Sequence, residues 1–228
     1  MIGTIVNTGT ILVGSALGGL LRKGIKEKYR DALYNAMGLA AVGIGANSIC
    51  KNMPESECPV LFIIALALGS LIGYAADLDG RFNRLSEKFS KSNLGQGLST
   101  GILMFCIGTL SILGPINSAL YGDNTFLFTN ATLDFVTSMA LASTYGFGMM
   151  IAAGVLFCWQ GAIYLCAGWL APVLLEGGLM TEISLVGGFL IAASGFGILK
   201  IKDMRTLNML PSLLVPPLFF ALKAVFGF

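Results

Sequence analysis

The sequence predicts an all-α, polytopic membrane protein: a transmembrane helix bundle of about eight spans built from repeated helical hairpins. Three observations point there. Of 228 residues, 55% are hydrophobic and only 11% are charged, against roughly 25% charged in an ordinary soluble domain. Uncharged stretches run over 1–21, 32–50, 58–76, 92–122, 135–175, 183–199 and 206–222. Nearly all approach the ~20 residues a helix needs to cross ~30 Å of hydrocarbon at ~1.5 Å per residue. Finally, the charged connectors are short, so function belongs inside the bundle or on its rims.

Taken in order, Met1–Leu21 reads as a retained first span, because its basic residues follow the apolar part instead of preceding it. The tract from Phe126 to Leu175 carries a single charge, Asp134, and as one straight helix it would be about 75 Å long. It has to fold back, and Gly146 and Gly148 are the predicted helix break, since paired glycines free the backbone to turn. In the last span Pro211, with Pro216 and Pro217 after it, removes backbone donors and marks a second break beside Asn208.

Basic residues orient the chain. Arg22, Lys23, Lys26, Lys28 and Arg30 follow the first span, Arg81, Arg84, Lys88 and Lys91 the third, and Lys200, Lys202 and Arg205 the seventh. The positive-inside rule puts these connectors in the cytoplasm. The loops at Lys51, Asp123 and Glu176 to Glu182 then face outward, and both termini are predicted outside. Residues 80–94 place Phe82, Leu85 and Phe89 on one helical face, which suits either a helix lying on the membrane surface or a solvated connector.

Residues 1–228 read as a single integral membrane domain with hairpins at about 1–50, 58–120, 126–175 and 182–228. Gly14 and Gly18 in the first span match Gly69 and Gly73 in the third, both with the spacing that lets helix backbones approach closely. Gly38 precedes Asn47-Ser48 by the same interval that separates Gly108 from Asn117-Ser118. These matches suggest a duplicated hairpin. The same small residues could equally serve an interface between chains, so a homo-oligomer is a possible assembly.

The composition also excludes functions. There is no histidine and no HExxH, so no metal site, cofactor or histidine-based catalytic constellation is expected and the chain is read as not an enzyme. A net charge of +2 without a basic aromatic patch excludes nucleic acid. The five cysteines form no CxxC pair, although Cys50 and Cys58 bracket one short loop and could pair in an oxidising compartment. The lipid bilayer is the one certain partner.

What remains is a set of polar residues on greasy spans. Asp134 comes first, because a carboxylate at a helix centre costs about 2.5–3.5 kcal/mol on insertion scales; it is either a functional group or a wet, capping one. Ser138 lies one turn on, with Thr137 and Tyr145 nearby. Gln160 offers a donor and an acceptor inside its span, for a path or for interhelical glue. Asn47 and Asn117 near the outer ends, with Asn7 in the first span, could complete a polar vestibule or serve as caps, and Asn208 joins the candidate path at the break beside Pro211. The pattern predicts a transporter or channel for a small ion or polar solute; the alternative is a non-transporting membrane scaffold or regulatory protein.

Gly108 to Asp123, Leu133-Asp134 with Ser138, Gly146-Phe147-Gly148, Trp159-Gln160-Gly161, Gly187-Gly188 and Asn208-Met209-Leu210-Pro211 resemble the YdfK/YqgA-like bacterial membrane proteins over nearly the whole chain. The resemblance implies a bacterial inner-membrane protein and supplies no substrate. The family pattern has a lysine shortly before the Asp and an acid near the end of the fourth span; this chain reads Thr129-Asn130-Ala131-Thr132 and Asn117-Ser118 there. If those two charges pair in relatives, this chain has lost both members of the pair.

Overall fold

The structure, a computed structural model, describes residues 1–21, 27–81, 84, 98, 101–102, 104–106, 109–171 and 178–226. Among them there is no β-strand. The helices are α1 (Ile2–Leu20), α2 (Glu27–Asn52), α3 (Leu61–Ala75), α4 (Thr109–Tyr121), α5 (Thr125–Tyr145), α6 (Ile151–Trp169), α7 (Leu179–Ile198), α8 (Thr206–Met209) and α9 (Val215–Phe226). Short 3-10 turns at Met53–Glu55, Phe147–Met150 and Leu210–Leu214 follow α2, α5 and α8.

Among the described residues five helical segments are long and apolar enough to cross a membrane: Ile2–Leu20, Met104–Tyr121, Phe147–Trp169, Leu179–Ile198 and Thr206–Lys223. The remaining members of the sequence count fall short for identifiable reasons. Helix α3 is apolar but has only 15 residues. Helices α2 and α5 are long enough, at 26 and 21 residues, but less apolar. In α5 the polar groups are handled locally. Thr129, Thr132 and Ser143 donate their hydroxyls to carbonyls of the preceding turn, at 2.8, 2.9 and 2.7 Å, which spares hydrocarbon an unsatisfied group.

Two compact units emerge. The first comprises Met1–Met37 and Phe82–Trp169, the second Gly38–Arg81 and Leu170–Phe228. Each therefore draws helices from more than one of the sequence hairpins.

In the first unit α1 and α5 run side by side in the same direction. Gly3 of α1 meets Asn124 and Leu127, Gly14 meets Phe135 and Ser138, and Gly18 meets the backbone of Met139. The chain then turns at Gly146, where φ is +85° and ψ is −173°, a conformation essentially reserved for glycine. After the 3-10 turn, α6 returns along α1: Phe147 touches Gly19, and Gly161 lies near Met1. Ile11, Phe105, Cys106, Ala152, Ala153 and Leu156 fill the core between them.

In the second unit the later part of α2 packs antiparallel to α7, with Gly38 on Gly195 and Leu199, and Gly45 on Gly188 and Ala192. Ser48 donates to the Ser184 carbonyl at 3.0 Å. Helix α3 lays Gly69 on Ser212 and Gly73 on Asn208, so it runs antiparallel to an interrupted segment of α-turn, 3-10 turn and α-helix. The two glycine pairs that match in sequence thus face partners of opposite direction, parallel for α1 and antiparallel for α3. Gly108 of the second sequence match, and most of residues 80–94, lie outside the described residues. All five cysteines are free thiols, Cys50 exposed and Cys58 half-buried.

Candidate functional site

Asp134 sits in the middle of α5 and is 5% exposed. That burial removes the wet-end explanation for its charge. Asn130, one helical turn earlier on the same face, donates its Nδ2 to Asp134 Oδ2 at 2.8 Å. From α1 the amide of Asn7 lies against the same carboxyl, yet neither of its polar atoms reaches hydrogen-bond geometry. The buried Cys106 lies within electrostatic range from the segment before α4. Among the described residues no basic side chain joins them, and the sequence contains no Lys, Arg or His over residues 1–21 or 92–199.

Further hydroxyls and amides surround this centre in the first unit. Ser138 is fully buried against Gly14 and returns its hydroxyl to the Phe135 carbonyl at 3.0 Å. Gln160 of α6 donates Nε2 to Ser111 Oγ of α4 at 3.0 Å, and its Oε1 has no partner. Thr4 and Ser15 on α1 also bury hydroxyls without partners. Asn117 is buried near the end of α4. Beside it, Ser118 Oγ donates to Asn124 Oδ1 at 2.8 Å, and Asn124 Oδ1 in turn accepts the Gly3 amide at 3.2 Å. That triad fixes the first turn of α1 to the first turn of α5.

Four of the six proposed path residues, Asp134, Ser138, Gln160 and Asn117, therefore share the first unit. Asn47 and Asn208 belong to the second. Asn47 is exposed on α2. Asn208 is buried and its Oδ1 accepts the Asp79 amide at 2.8 Å, which ties the end of α3 to α8. Pro211 lies in the adjoining 3-10 turn, where a missing N–H costs no α-helical bond.

Sequence reasoning missed Glu182. Residues 176–182 read as an outward loop, but α7 begins at Leu179, and Glu182 in its first turn is completely buried. Its Oε1 accepts the Ser56 hydroxyl at 2.5 Å and the Cys58 amide at 3.3 Å, while Oε2 is buried without a partner. The nearby Lys223 pairs with Glu57 instead, at 3.6 Å. Glu182 thus clamps the connector between α2 and α3 onto α7. The available signal was an acid flanked by Leu179, Met180 and Ile183 instead of by other polar residues. Glu182→Leu is expected to cost about 2–3 kcal/mol by losing both bonds, and Glu182→Gln, which keeps the acceptor oxygen, clearly less. Thermal melts in detergent check this, and equal melting of Glu182→Leu and wild type would remove the clamp.

Apolar helices enclosing buried amides, hydroxyls and carboxyls define a multi-pass membrane protein. The chain belongs to the family described as Protein of unknown function (DUF554), whose profile matches residues 2–221. It is 54% identical over 227 residues to the Uncharacterized membrane protein YdfK of Bacillus subtilis (strain 168), covering 100% of this chain and 99% of the relative. It is 31% identical over 231 residues to the Uncharacterized protein YqgA of Escherichia coli (strain K12), covering 94% of each. No solved structure matches the chain.

Proposed function

We propose that the chain is a transporter or channel for a small ion or polar solute, and that its path passes Asp134, with Ser138 and Gln160 along it. The observation that carries this reading is the environment of Asp134: a buried carboxylate facing an amide with two idle hydrogen-bonding atoms, Asn7 Oδ1 and Nδ2. Glu182 accepts two bonds from the connector that it holds in place, whereas the hydrogen bond of Asp134 comes from Asn130 of its own helix, so its insertion cost of about 2.5–3.5 kcal/mol secures no second element. Idle donors and acceptors are what a passing ligand would use. The setting is the bacterial inner membrane with about eight crossings and both termini outside, a topology supported by the basic residues after the first, third and seventh spans.

The scaffold or regulatory alternative is favoured by a different observation, the backbone-to-backbone contact of Gly14 and Gly18 with α5, which is the kind of packing that serves assembly. Liposome reconstitution separates the two. Gradients of sodium chloride, potassium chloride and pH across the membrane should drive current or uptake in the wild type, and Asp134→Asn should reduce it at least tenfold. Unchanged flux in the variant takes Asp134 out of the path. Under the scaffold reading neither protein conducts, while Gln160→Leu and Asp134→Asn disturb assembly or lower the melting temperature.

A further inference from the structure

We propose that the ligand at Asp134 is a bare monovalent cation, a proton or an alkali-metal ion, shared between the Asp134 carboxyl and the side-chain oxygen of Asn7. This deepens the path reading above by naming its substrate class and rests on that reading only for transport; binding stands by itself. Asp134 is buried, and its one hydrogen bond comes from the neutral amide of Asn130. Helices α1, α4, α5 and α6 are free of Lys, Arg and His throughout. Lys28 and Arg84, the described basic side chains in the remaining parts of this unit, are exposed. A carboxylate with no counter-charge among the described residues attracts positive charge more strongly in a low dielectric than it would in water. An anion would meet like charge there, and a neutral solute would leave the carboxylate unbalanced.

The surrounding atoms suit a cation. Asn130 occupies Asp134 Oδ2, leaving Oδ1 for the ligand. Whichever way the Asn7 amide is turned, it presents an oxygen with nothing to accept. A proton on Asp134 would be donated to that oxygen, and an alkali ion would be ligated by it together with the carboxylate. Among the described residues the other titratable group within electrostatic range of Asp134 is the Cys106 thiol. The described polar residues that α1 buries are Thr4, Asn7 and Ser15, which do not titrate, and the cysteines of α6, Cys158 and Cys166, are exposed.

Infrared difference spectroscopy on the full-length protein in liposomes tests this. One series exchanges choline chloride for sodium or potassium chloride at fixed pH, and the other varies pH in choline chloride. A carboxyl band is expected to change in at least one series, to vanish in Asp134→Asn and to persist in Cys106→Ser. A response in the salt series assigns an alkali ion, and one in the pH series alone assigns the proton. Asn7→Leu keeps the acid and removes the shared oxygen, so the half-saturation point should move about tenfold, or about one pH unit. The proposal is overturned if no band responds in either series, if the response survives in Asp134→Asn, or if Asn7→Leu leaves the midpoint unmoved. A band change without flux keeps the cation site and removes the transporter; flux without a band change does the reverse.

Discussion

Asp134→Asn is expected to abolish flux while melting at the wild-type temperature or above it. The substituted amide has nearly the same shape. Its oxygen can accept from Asn130 Nδ2, as Asp134 does at 2.8 Å, and its new N–H₂ faces the unpaired Asn7 amide. What disappears is an ionisable group buried with no counter-charge among the described residues, so no ion pair is lost. For a chain of this length each kcal/mol gained raises the melting temperature by about 2–4 °C. Loss of activity with a gain of stability is the signature of a residue kept for function. A fall in melting temperature of several degrees would instead make Asp134 a structural tie and favour the scaffold reading.

The second large effect lies in Gly18. A Cβ there would run into the backbone carbonyl of Met139 on α5, and a helical backbone cannot step aside as a flexible side chain can. Gly18→Leu therefore has to push α1 off α5, at a cost beyond the about 1–3 kcal/mol of ordinary overpacking. A melting temperature lowered by on the order of 10 °C, or failure to purify as a single species, is expected. Gly9 supplies the internal control, since nothing lies within 4 Å of the position its Cβ would occupy. Gly9→Ala should be neutral or stabilising by about 0.5–1 kcal/mol. Equal behaviour of the two variants would contradict the parallel α1–α5 packing.

These residues also show how far the sequence could be read. Helical class was legible because it follows from composition, and Gly14, Gly18, Gly69 and Gly73 stand out because their spacing puts them on one helix face. Their partners were not legible. Hairpin reasoning pairs neighbours in sequence, whereas α1 lies along α5, with Gly3 meeting Asn124 and Leu127. Nothing local in either segment encodes that pairing. Hydropathy counts residues without regard to face, so α5, whose Asn130, Asp134, Thr137 and Ser138 are all buried, scores as too polar for a span. The same blindness assigned Glu182 to a loop. Asn130 was recoverable, because it stands four residues before Asp134. Asn47 was misleading for the converse reason: an amide near a helix end reads alike whether it points inward or, as here, outward.

The account turns on water and cations reaching Asp134 through the folded bundle, and Cys106 is a natural reporter beside it. With Cys50, Cys58, Cys158 and Cys166 replaced by serine, the remaining thiol can be exposed to a small, positively charged methanethiosulfonate applied to intact liposomes. The account predicts that Cys106 is modified in the folded protein, that the anionic counterpart reagent reacts far more slowly, and that Asp134→Asn erases this preference. A Cys106 that reacts with neither reagent until the protein is unfolded would contradict it.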